Sequence, residues 1–176
     1  MYRFLIKPLL FLLPPETIHH LLVSFLRCVF KLPGVRGLIK GIYHVKNEAL
    51  KTEFLGMTFS NPVGLAAGFD KNAEVYREFH SFGFSFIEIG TVTPKGQPGN
   101  PKPRSFRIPK DRGLINRMGF NNNGLAATIQ NLKNRTDFDL IIGGNIGKNT
   151  ATLPENYTAD YLRCFQELHP YVDYFV

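Results

Sequence analysis

Apolar residues first recur along this chain with a helical period and later gather in short runs separated by turns. Between Pro15 and Gly34 the apolar positions fall three and four residues apart, which predicts an amphipathic helix. Pro15 and Glu16 suit its first turn, and Pro33 with Gly34 ends it. Its apolar face holds Ile18, Leu21, Leu22, Phe25, Leu26, Val29 and Phe30. A shorter apolar helix is predicted before it, within residues 1–13.

The period changes after residue 46. Residues 50–60 alternate around Gly56 and predict a β-hairpin. Buried strands are then predicted at Pro62–Ala67, Phe84–Ile89, Leu140–Asn145 and Val172–Val176, and helices at Ala73–Phe82, Leu125–Asn134 and Pro154–Leu168. Continuous apolar strands that alternate with helices are typical of a parallel sheet with right-handed crossovers.

The predicted fold class is therefore α/β. A (β/α)8 TIM barrel needs ~250 residues, so only about its first half would be present here. We assign residues 1–46 to a small N-terminal helical domain. Residues 47–176 would form the half barrel, which begins with the hairpin and is truncated in its fourth strand.

Positive charge is concentrated at the N-terminus. Residues 1–51 hold eight Lys or Arg against two Glu, a net +6, whereas the remaining residues sum to +1. A nucleic-acid-binding domain usually spreads basic residues over its folded body, so no nucleic-acid partner is predicted. Basic flanks and aromatic-rich apolar faces fit helices that lie in a membrane interface, but they fit an ordinary packed helical hairpin equally well. The apolar runs are shorter than the ~20 residues of a spanning helix, and no signal-peptide cleavage site follows them.

Two cysteines, Cys28 and Cys164, lie far apart and lack CxxC spacing. This spacing supports neither a disulfide framework nor a zinc site, and both are expected as buried, reduced thiols. The sequence contains no P-loop and no GxGxxG motif, which counts against the P-loop and Rossmann classes.

Polar turns follow the predicted strands at residues 64–72, 86–93 and 141–149, and a similar stretch covers residues 114–124. Because the carboxyl ends of parallel strands meet at one edge, these turns predict one shared small-molecule site. Ala66, Ala67 and Gly68 would let a flat ligand approach the backbone. Lys71 would add an ammonium group, whereas helix capping is the commoner role for an aspartate placed like Asp70.

Several other polar residues have two interpretations. Glu88, inside an apolar strand, needs a buried Lys or Arg partner or a solvated layer, and a structural pair is expected. Thr91 would donate either to a cofactor carbonyl or to a backbone group. Asn122 or Asn123 is expected to cap a helix. Lys148 is expected to be solvated or to face a helix.

The excursion at residues 93–104 is rich in Pro and Gly and predicts a lid or binding loop without a regular element. Arg107 and Arg117 flank it in short strand-like stretches. The amides of Asn116 and Asn121 suit a planar imide or carboxylate ligand. Asn145 is expected to point into the barrel mouth.

Five stretches together resemble dihydroorotate dehydrogenase of the membrane-associated, quinone-dependent class (class 2). They are residues 61–71, 87–94, 97–104, 113–121 and 145–149, which read NPVGLAAGFDK, IEIGTVTP, QPGNPKPR, GLINRMGFN and NIGKN. They occur in family order and at near-family spacing. The soluble classes lack an N-terminal helical extension, so the extension selects the quinone-dependent class.

The resemblance implies FMN-dependent oxidation of dihydroorotate to orotate in pyrimidine biosynthesis, with a quinone as electron acceptor. The implied flavin contacts are Ala67, Gly68, Phe69, Asp70, Lys71, Thr91 and Asn145. The implied orotate contacts are Lys71, Asn116, Arg117, Met118, Gly119 and Phe120, with Phe120 bordering a proton path. His19 and Arg107 would lie near the quinone site. The implied location is peripheral, at the cytoplasmic face of the cell membrane, and the full-length protein would be a monomer without a metal.

The resemblance also implies an incomplete site. In this class a serine at the end of the fourth strand is the base, and the flavin phosphate docks on loops after strands seven and eight. The chain stops at Val176, before these segments, so residues 1–176 alone are expected to bind flavin weakly and to be inactive. Two alternatives remain open: a non-catalytic fragment or membrane-surface module, and another FMN-dependent barrel oxidoreductase.

Overall fold

The computed structural model describes residues 2–133, 135–136 and 139–176. Within them the helices are α1 (Lys7–Phe11), α2 (Pro15–Val29), α3 (Val35–Tyr43), α4 (Tyr76–Ser81), α5 (Leu125–Leu132) and α6 (Tyr157–Leu168). The strands are β1 (Thr52–Phe54), β2 (Met57–Phe59), β3 (Gly64–Leu65), β4 (Phe86–Val92), β5 (Ser105–Ile108), β6 (Gly113–Asn116), β7 (Ile141–Ile146) and β8 (Tyr174–Phe175). A π-helical turn at Tyr2–Ile6 precedes α1, and 3-10 turns cover Glu48–Leu50 and Pro154–Asn156.

Four strands of the described chain form a parallel sheet in the order β3-β4-β7-β8. The strands are neighbours in space in the order in which they follow one another along the chain. Ile87 and Ile89 of β4 and Ile142 of β7 are fully buried, as the apolar runs predicted. Leu132 of α5 and Leu168 of α6 complete this core. Because all four strands run in one direction, their carboxyl ends meet at the same edge of the sheet.

The predicted hairpin is present as the antiparallel pair β1–β2. Several predicted elements are shorter than expected. The strand predicted at Val172–Val176 is reduced to β8, and the helix predicted at Pro154–Leu168 begins only at Tyr157. The strand predicted at Pro62–Ala67 is reduced to β3, and the helix predicted at Ala73–Phe82 begins only at Tyr76. The reason is local, because Ala73 has φ +56° and the preceding segment forms a turn. Helix α5 ends at Leu132, and the final residue of its predicted span lies outside the described residues.

Two regular elements were not predicted. Helix α3 follows Gly34, which adopts the left-handed conformation. Its Gly37 and Gly41 weaken the helical pattern in the sequence. The antiparallel pair β5–β6 follows the irregular residues 93–104, with Phe106 opposite Ile115. Arg107 belongs to β5, as its strand-like stretch indicated, whereas Arg117 comes just after β6.

Much of the apolar surface of α1 and α2 is open to solvent. Leu26 of α2 is buried, but Leu21, Leu22 and Phe25 on the same helix are exposed. Helix α3 packs on α4, where Tyr43 and Phe82 have their ring centroids 5.3 Å apart. In the described part of the chain no single helix is long and apolar enough to cross a bilayer, although the bent pair Phe4–Phe11 and Pro15–Val29, at 118°, meets that test jointly.

Two expectations about individual side chains were wrong. Cys28 is exposed on α2 rather than buried. Cys164 is buried as predicted, and its burial raises its pKa to about 12. Glu88 has no buried Lys or Arg partner among the described residues; it is half-buried and accepts a 3.2 Å hydrogen bond from the Tyr174 hydroxyl. The donor to the carboxylate is therefore a phenol on β8, which lies two strands away from β4 across β7.

Candidate functional site

A cavity of about 480 Å³ lies at the carboxyl edge of the sheet, and we call it the mouth cavity. It collects the ends of β3, β4 and β7 together with the segment after β6. Its lining residues are Ala67, Gly68, Lys71, Thr91, Asn100, Asn116, Arg117, Met118, Gly119, Phe120 and Asn145. The polar turns predicted to share one site therefore do share a cavity.

Lys71 supplies the cationic group of the mouth cavity. Its ammonium donates a 2.5 Å hydrogen bond to Asn121 Oδ1 and lies 3.2 Å from Met118 Sδ. Burial lowers the pKa of Lys71, and the nearby Arg104 charge lowers it further. A partly desolvated ammonium is well suited to an anionic ligand, because such a ligand restores the charge interactions that burial removed.

Thr91 and Asn145 form the polar rim on adjacent strands. The Thr91 hydroxyl donates a 2.6 Å hydrogen bond to Asn145 Oδ1. A hydroxyl has one proton, so Thr91 acts through Asn145 rather than through a backbone group. Because its amide oxygen is occupied, Asn145 presents its N–H₂ group to a ligand. Gly90 allows this close approach, since a Cβ at that position would collide with the Asn145 carbonyl.

The opposite wall of the mouth cavity is the segment at residues 116–120. The Asn116 side chain accepts a 2.9 Å hydrogen bond from the backbone N–H of Met118, which leaves its N–H₂ group for a ligand. Asn100, which also lines the cavity, holds the segment in place. Its side chain donates to the Arg117 carbonyl at 2.7 Å, and its backbone N–H donates to the Met118 carbonyl at 2.9 Å. Phe120 is exposed at the end of this wall with φ +51°.

Asp70 does not line the mouth cavity. Its buried carboxylate accepts hydrogen bonds from the backbone N–H groups of Glu74 and Val75 at 2.7 and 2.9 Å. Desolvation raises the pKa of Asp70 to about 6, against the lowering effect of these two bonds. Asp70 therefore organises the turn before α4, but it does not cap the helix as expected, because the N-cap of α4 is Val75.

A second cavity, of about 550 Å³, lies between α2 and the edge of the sheet, and we call it the helix-side cavity. His19 lines it and packs edge-on against Phe69, with ring centroids 4.8 Å apart. Burial lowers the pKa of His19, and the charge of His20 adds to this effect. Gly68, Lys71, Asn116 and Met118 line both cavities, so the two spaces meet at the turn after β3 and at the segment after β6.

Arg107 is absent from the described linings of both cavities. Its guanidinium lies 4.4 Å above the Phe11 ring and donates a 2.6 Å hydrogen bond to the Leu13 carbonyl. It thus fastens the turn between α1 and α2 to β5.

Two predictions about helix contacts had different outcomes. The N-cap of α5 is Gly124, so capping by Asn122 or Asn123 was wrong. Asn122 instead accepts from the Gly124 N–H at 2.8 Å and exchanges hydrogen bonds with Thr93. Lys148 does face a helix, with its ammonium 4.1 Å from the ring centroid of Tyr157.

The sequence reasoning missed a buried ion cluster in the helix-side cavity. Glu16 of α2 pairs with Arg104 at 2.6 Å and with Lys102 at 3.3 Å. The hydrogen bonds from Arg104, helped by Lys102, hold the pKa of Glu16 at about 2 despite its burial. Glu16 was interpreted only as a favourable residue for the first helical turn, and nothing local in the sequence connects it to Arg104.

Known proteins resemble the chain over nearly its whole length. A family profile described as dihydroorotate dehydrogenase matches residues 49–176. The chain belongs to the dihydroorotate dehydrogenase family. A relative from Christiangramia forsetii named dihydroorotate dehydrogenase (quinone) is 52% identical over 176 residues, 100% of this chain and 51% of the relative. A relative of the same name from Roseiflexus sp. is 46% identical over 97% of this chain and 47% of its own length.

Solved structures agree with this assignment. A crystal structure of DHODH from Eimeria tenella in complex with ferulenol has a TM-score of 0.77 at 38% identity, over 92% of this chain and 42% of that one. The ligand-free DHODH from the same organism has a TM-score of 0.78. The chain spans about half the length of the curated relatives it matches.

Proposed function

We propose that the protein to which this chain contributes oxidises dihydroorotate to orotate, with FMN as cofactor and a quinone as electron acceptor, in pyrimidine biosynthesis. The single observation that carries the proposal is the mouth cavity. It brings Lys71, Thr91 and Asn145 from different strand ends together with the 116–120 wall. The fold we propose is the first half of a (β/α)8 barrel preceded by a helical domain at residues 1–46.

The residues of the mouth cavity fit a flavin. Ala67 and Gly68 have little or no side chain, and a Cβ at Gly68 would meet open space, so a flat ring can lie against this turn. Asn145 offers amide donors at the ring edge, and Lys71 offers a cation. FMN would accept hydride from the substrate and pass the electrons onward. Phe69 and Asp70 would support this turn from behind rather than touch the ring.

The same cavity fits an anionic, amide-bearing substrate. The ammonium of Lys71 would bind the carboxylate, and the Asn116 amide would bind the ring. Both groups would also stabilise negative charge that develops as the substrate loses a proton. Arg117, Met118, Gly119 and Phe120 would enclose the ring and keep bulk water away from it. The base and the loops that hold the flavin phosphate are expected to lie outside residues 1–176. We therefore propose that this segment alone binds flavin weakly and does not oxidise dihydroorotate.

The helix-side cavity is the proposed quinone site. It opens between α2 and the sheet, is lined by His19 and adjoins the mouth cavity at Gly68 and Lys71. The exposed apolar residues of α1 and α2, together with the basic N-terminus, support placing this end on an anionic lipid surface. Arg107 would act here by holding the α1–α2 turn. We propose a peripheral location at the cytoplasmic face of the cell membrane and a monomeric full-length protein.

The test is an assay of a full-length version of the protein. Dihydroorotate should reduce a soluble quinone analogue with stoichiometric FMN, and the 1–176 segment should not support the reaction. Deleting residues 1–46 should abolish quinone reduction and liposome binding together while flavin binding persists. Normal turnover by residues 1–176 alone would refute the incompleteness of the site. Turnover of a different substrate in preference to dihydroorotate would favour another FMN-dependent barrel oxidoreductase.

A further inference from the structure

A buried ion pair connects α2 to the residue that directly precedes β5. The guanidinium of Arg104 donates to both carboxylate oxygens of Glu16, from Nη2 at 2.6 Å and from Nε at 3.2 Å. Arg104 is 6% exposed and Glu16 is 9% exposed. A two-point arginine–carboxylate contact fixes direction as well as distance, so the pair sets the angle at which α2 lies.

The remaining arm of the same guanidinium holds the loop before β5. Arg104 Nη1 donates to the carbonyls of Pro98 and Asn100, at 2.5 and 2.9 Å. Gly99 packs so tightly between them that a Cβ there would collide with the Met118 carbonyl. One side chain therefore holds both the helix and the loop.

The loop in turn holds the wall of the mouth cavity. Asn100 bonds to the carbonyls of Arg117 and Met118, and the Arg104 carbonyl accepts the Arg117 N–H at 2.9 Å. Neither Glu16 nor Arg104 lines the mouth cavity. The chain of contacts thus runs from α2 through Glu16 and Arg104 to Asn100 and the 116–118 backbone without a gap.

We propose that the Glu16–Arg104 pair has a positioning role: it couples the packing of α2 against the loop to the conformation of the 116–120 wall of the mouth cavity. When α2 is seated, Glu16 orients the guanidinium so that its Nη1 arm holds the loop. When the carboxylate is withdrawn, the guanidinium loses its orienting partner and the loop carbonyls lose their fixed donor. Coupling between two sites is reciprocal, so a ligand that orders the wall also favours the seated helix.

The first test needs no substrate and uses the 176-residue chain. Hydrogen–deuterium exchange is followed by mass spectrometry in Glu16→Gln and in the matched control Arg27→Gln. Arg27 forms a different ion pair from α2, with Glu74 at 3.4 Å, and has no contact with the loop among the described residues. In Glu16→Gln, the amides of residues 97–101 and 115–119 should exchange at least about tenfold faster, a factor that corresponds to about 1.4 kcal/mol.

The exchange pattern decides between coupling and simple stabilisation. The Arg27→Gln chain should leave the same amides within about twofold of the parent, as is usual for an exposed substitution. Strand β7 should be unchanged in both, because no hydrogen bond joins its residues 141–146 to the loop among the described residues. Faster exchange of β7 in Glu16→Gln, or equal effects of the two variants on the loop, would overturn the proposal. If Glu16→Gln does not fold, Glu16→Asp is used instead. It keeps the carboxylate on a side chain one methylene shorter and should give a smaller change in the same segments.

The second test rests on the proposed function and uses a full-length version of the protein. Glu16→Gln and Arg104→Lys should each raise the orotate dissociation constant by about fivefold or more, since lysine keeps the charge but not the forked geometry. Arg27→Gln should stay within about twofold. Absence of orotate binding to the unsubstituted protein would refute the proposed function, while the exchange result would stand separately. Unchanged orotate affinity in both variants would overturn the coupling itself.

Discussion

The ammonium of Lys71 and the amide oxygen of Asn121, 50 positions apart in sequence, are joined by a hydrogen bond of 2.5 Å. The bond holds a partly buried cation at the boundary between the mouth cavity and the helix-side cavity. Burial lowers the pKa of Lys71, which disfavours its charged form. The hydrogen bond to Asn121 offsets part of this cost and fixes the position of the ammonium group. Asn121 therefore determines where the proposed substrate carboxylate would dock.

Replacing Asn121 by alanine should weaken orotate binding to a full-length version of the protein. A hydrogen bond to a charged group contributes about 1.5–3 kcal/mol, so we expect the dissociation constant to rise about tenfold or more. Asn123→Ala is the matched control, since the backbone N–H of Asn123, which donates to Asn72, is retained. The change is measured by titrating orotate and following the flavin absorbance. Equal weakening by both substitutions would show that Asn121 has no special role.

Thr91→Val should weaken flavin binding with little effect on folding. The substitution keeps the side-chain shape but removes the donor to Asn145, whose amide then loses its fixed orientation. A neutral hydrogen bond is worth about 1 kcal/mol, and we expect about a fivefold loss of FMN affinity. Thr58→Val makes the same exchange on the exposed face of β2 and serves as control. FMN release measured by flavin fluorescence checks the prediction, and an unchanged affinity would contradict it.

Asp70→Ala should destabilise the protein. It removes the acceptor for two backbone N–H groups in a buried turn, at 2.7 and 2.9 Å. Unsatisfied buried donors cost about 1–3 kcal/mol each, so with two donors the free energy of unfolding should fall by roughly 2–6 kcal/mol. Urea unfolding measures it, with Asp111→Ala in the exposed β5–β6 turn as control. If the free energy of unfolding falls no more than in the control, the turn does not depend on the Asp70 carboxylate.

The place of the site could be predicted from sequence, but the partners within it could not. The carboxyl ends of parallel strands lie at the same edge of a sheet. The turns that contain Lys71, Thr91 and Asn145 therefore had to lie close together. Which side chain each one contacts depends on packing between distant segments. The Lys71–Asn121 bond and the Glu16–Arg104 pair, 88 positions apart, have no local signal in the sequence.

Asp70 illustrates a different limit. A carboxylate beside a binding turn is compatible both with ligand contact and with capping, and only the coordinates show that both oxygens receive backbone N–H groups. The missed elements have similar explanations. Glycines weaken the helical pattern of α3 in the sequence, and the Pro-rich residues before β5 make the short β5–β6 hairpin hard to predict.

The unfolding free energy should fall as the pH decreases from about 5 to about 2. Glu16 has a folded-state pKa of about 2, below its ordinary value of 4.5. Its ion pair therefore stabilises the fold above the unfolded pKa and is lost as the pH falls through the folded one. Asp70, with its pKa raised to about 6, acts in the opposite sense between about pH 4 and 6. Its contribution is the same in the parent and in a variant changed at Glu16, so it cancels when the two are compared.

In Glu16→Gln the free energy of unfolding should depend less on pH between about pH 5 and 2 than it does in the parent. Glutamine has no proton to gain, so the difference in urea midpoint between parent and variant should shrink steadily below about pH 4. The Arg27→Gln variant, which removes a different ion pair of α2, should run parallel to the parent over that range. A difference that stays constant down to about pH 2 would mean that Glu16 is not the titrating group.

Phe25→Glu should reduce binding to anionic vesicles, while Leu55→Glu should not. Both residues are apolar and exposed, at 61% and 81%, but Phe25 lies on α2 and Leu55 on the β1–β2 turn. Burying a phenylalanine side chain in lipid contributes about 1.5–3 kcal/mol, so partitioning should fall at least about tenfold for the first variant only. Co-sedimentation with vesicles of phosphatidylglycerol and phosphatidylcholine measures it, and added salt should weaken parent binding because the N-terminal charge is positive. If Leu55→Glu lowers binding as much as Phe25→Glu, the apolar faces of α1 and α2 are not the membrane-binding surface.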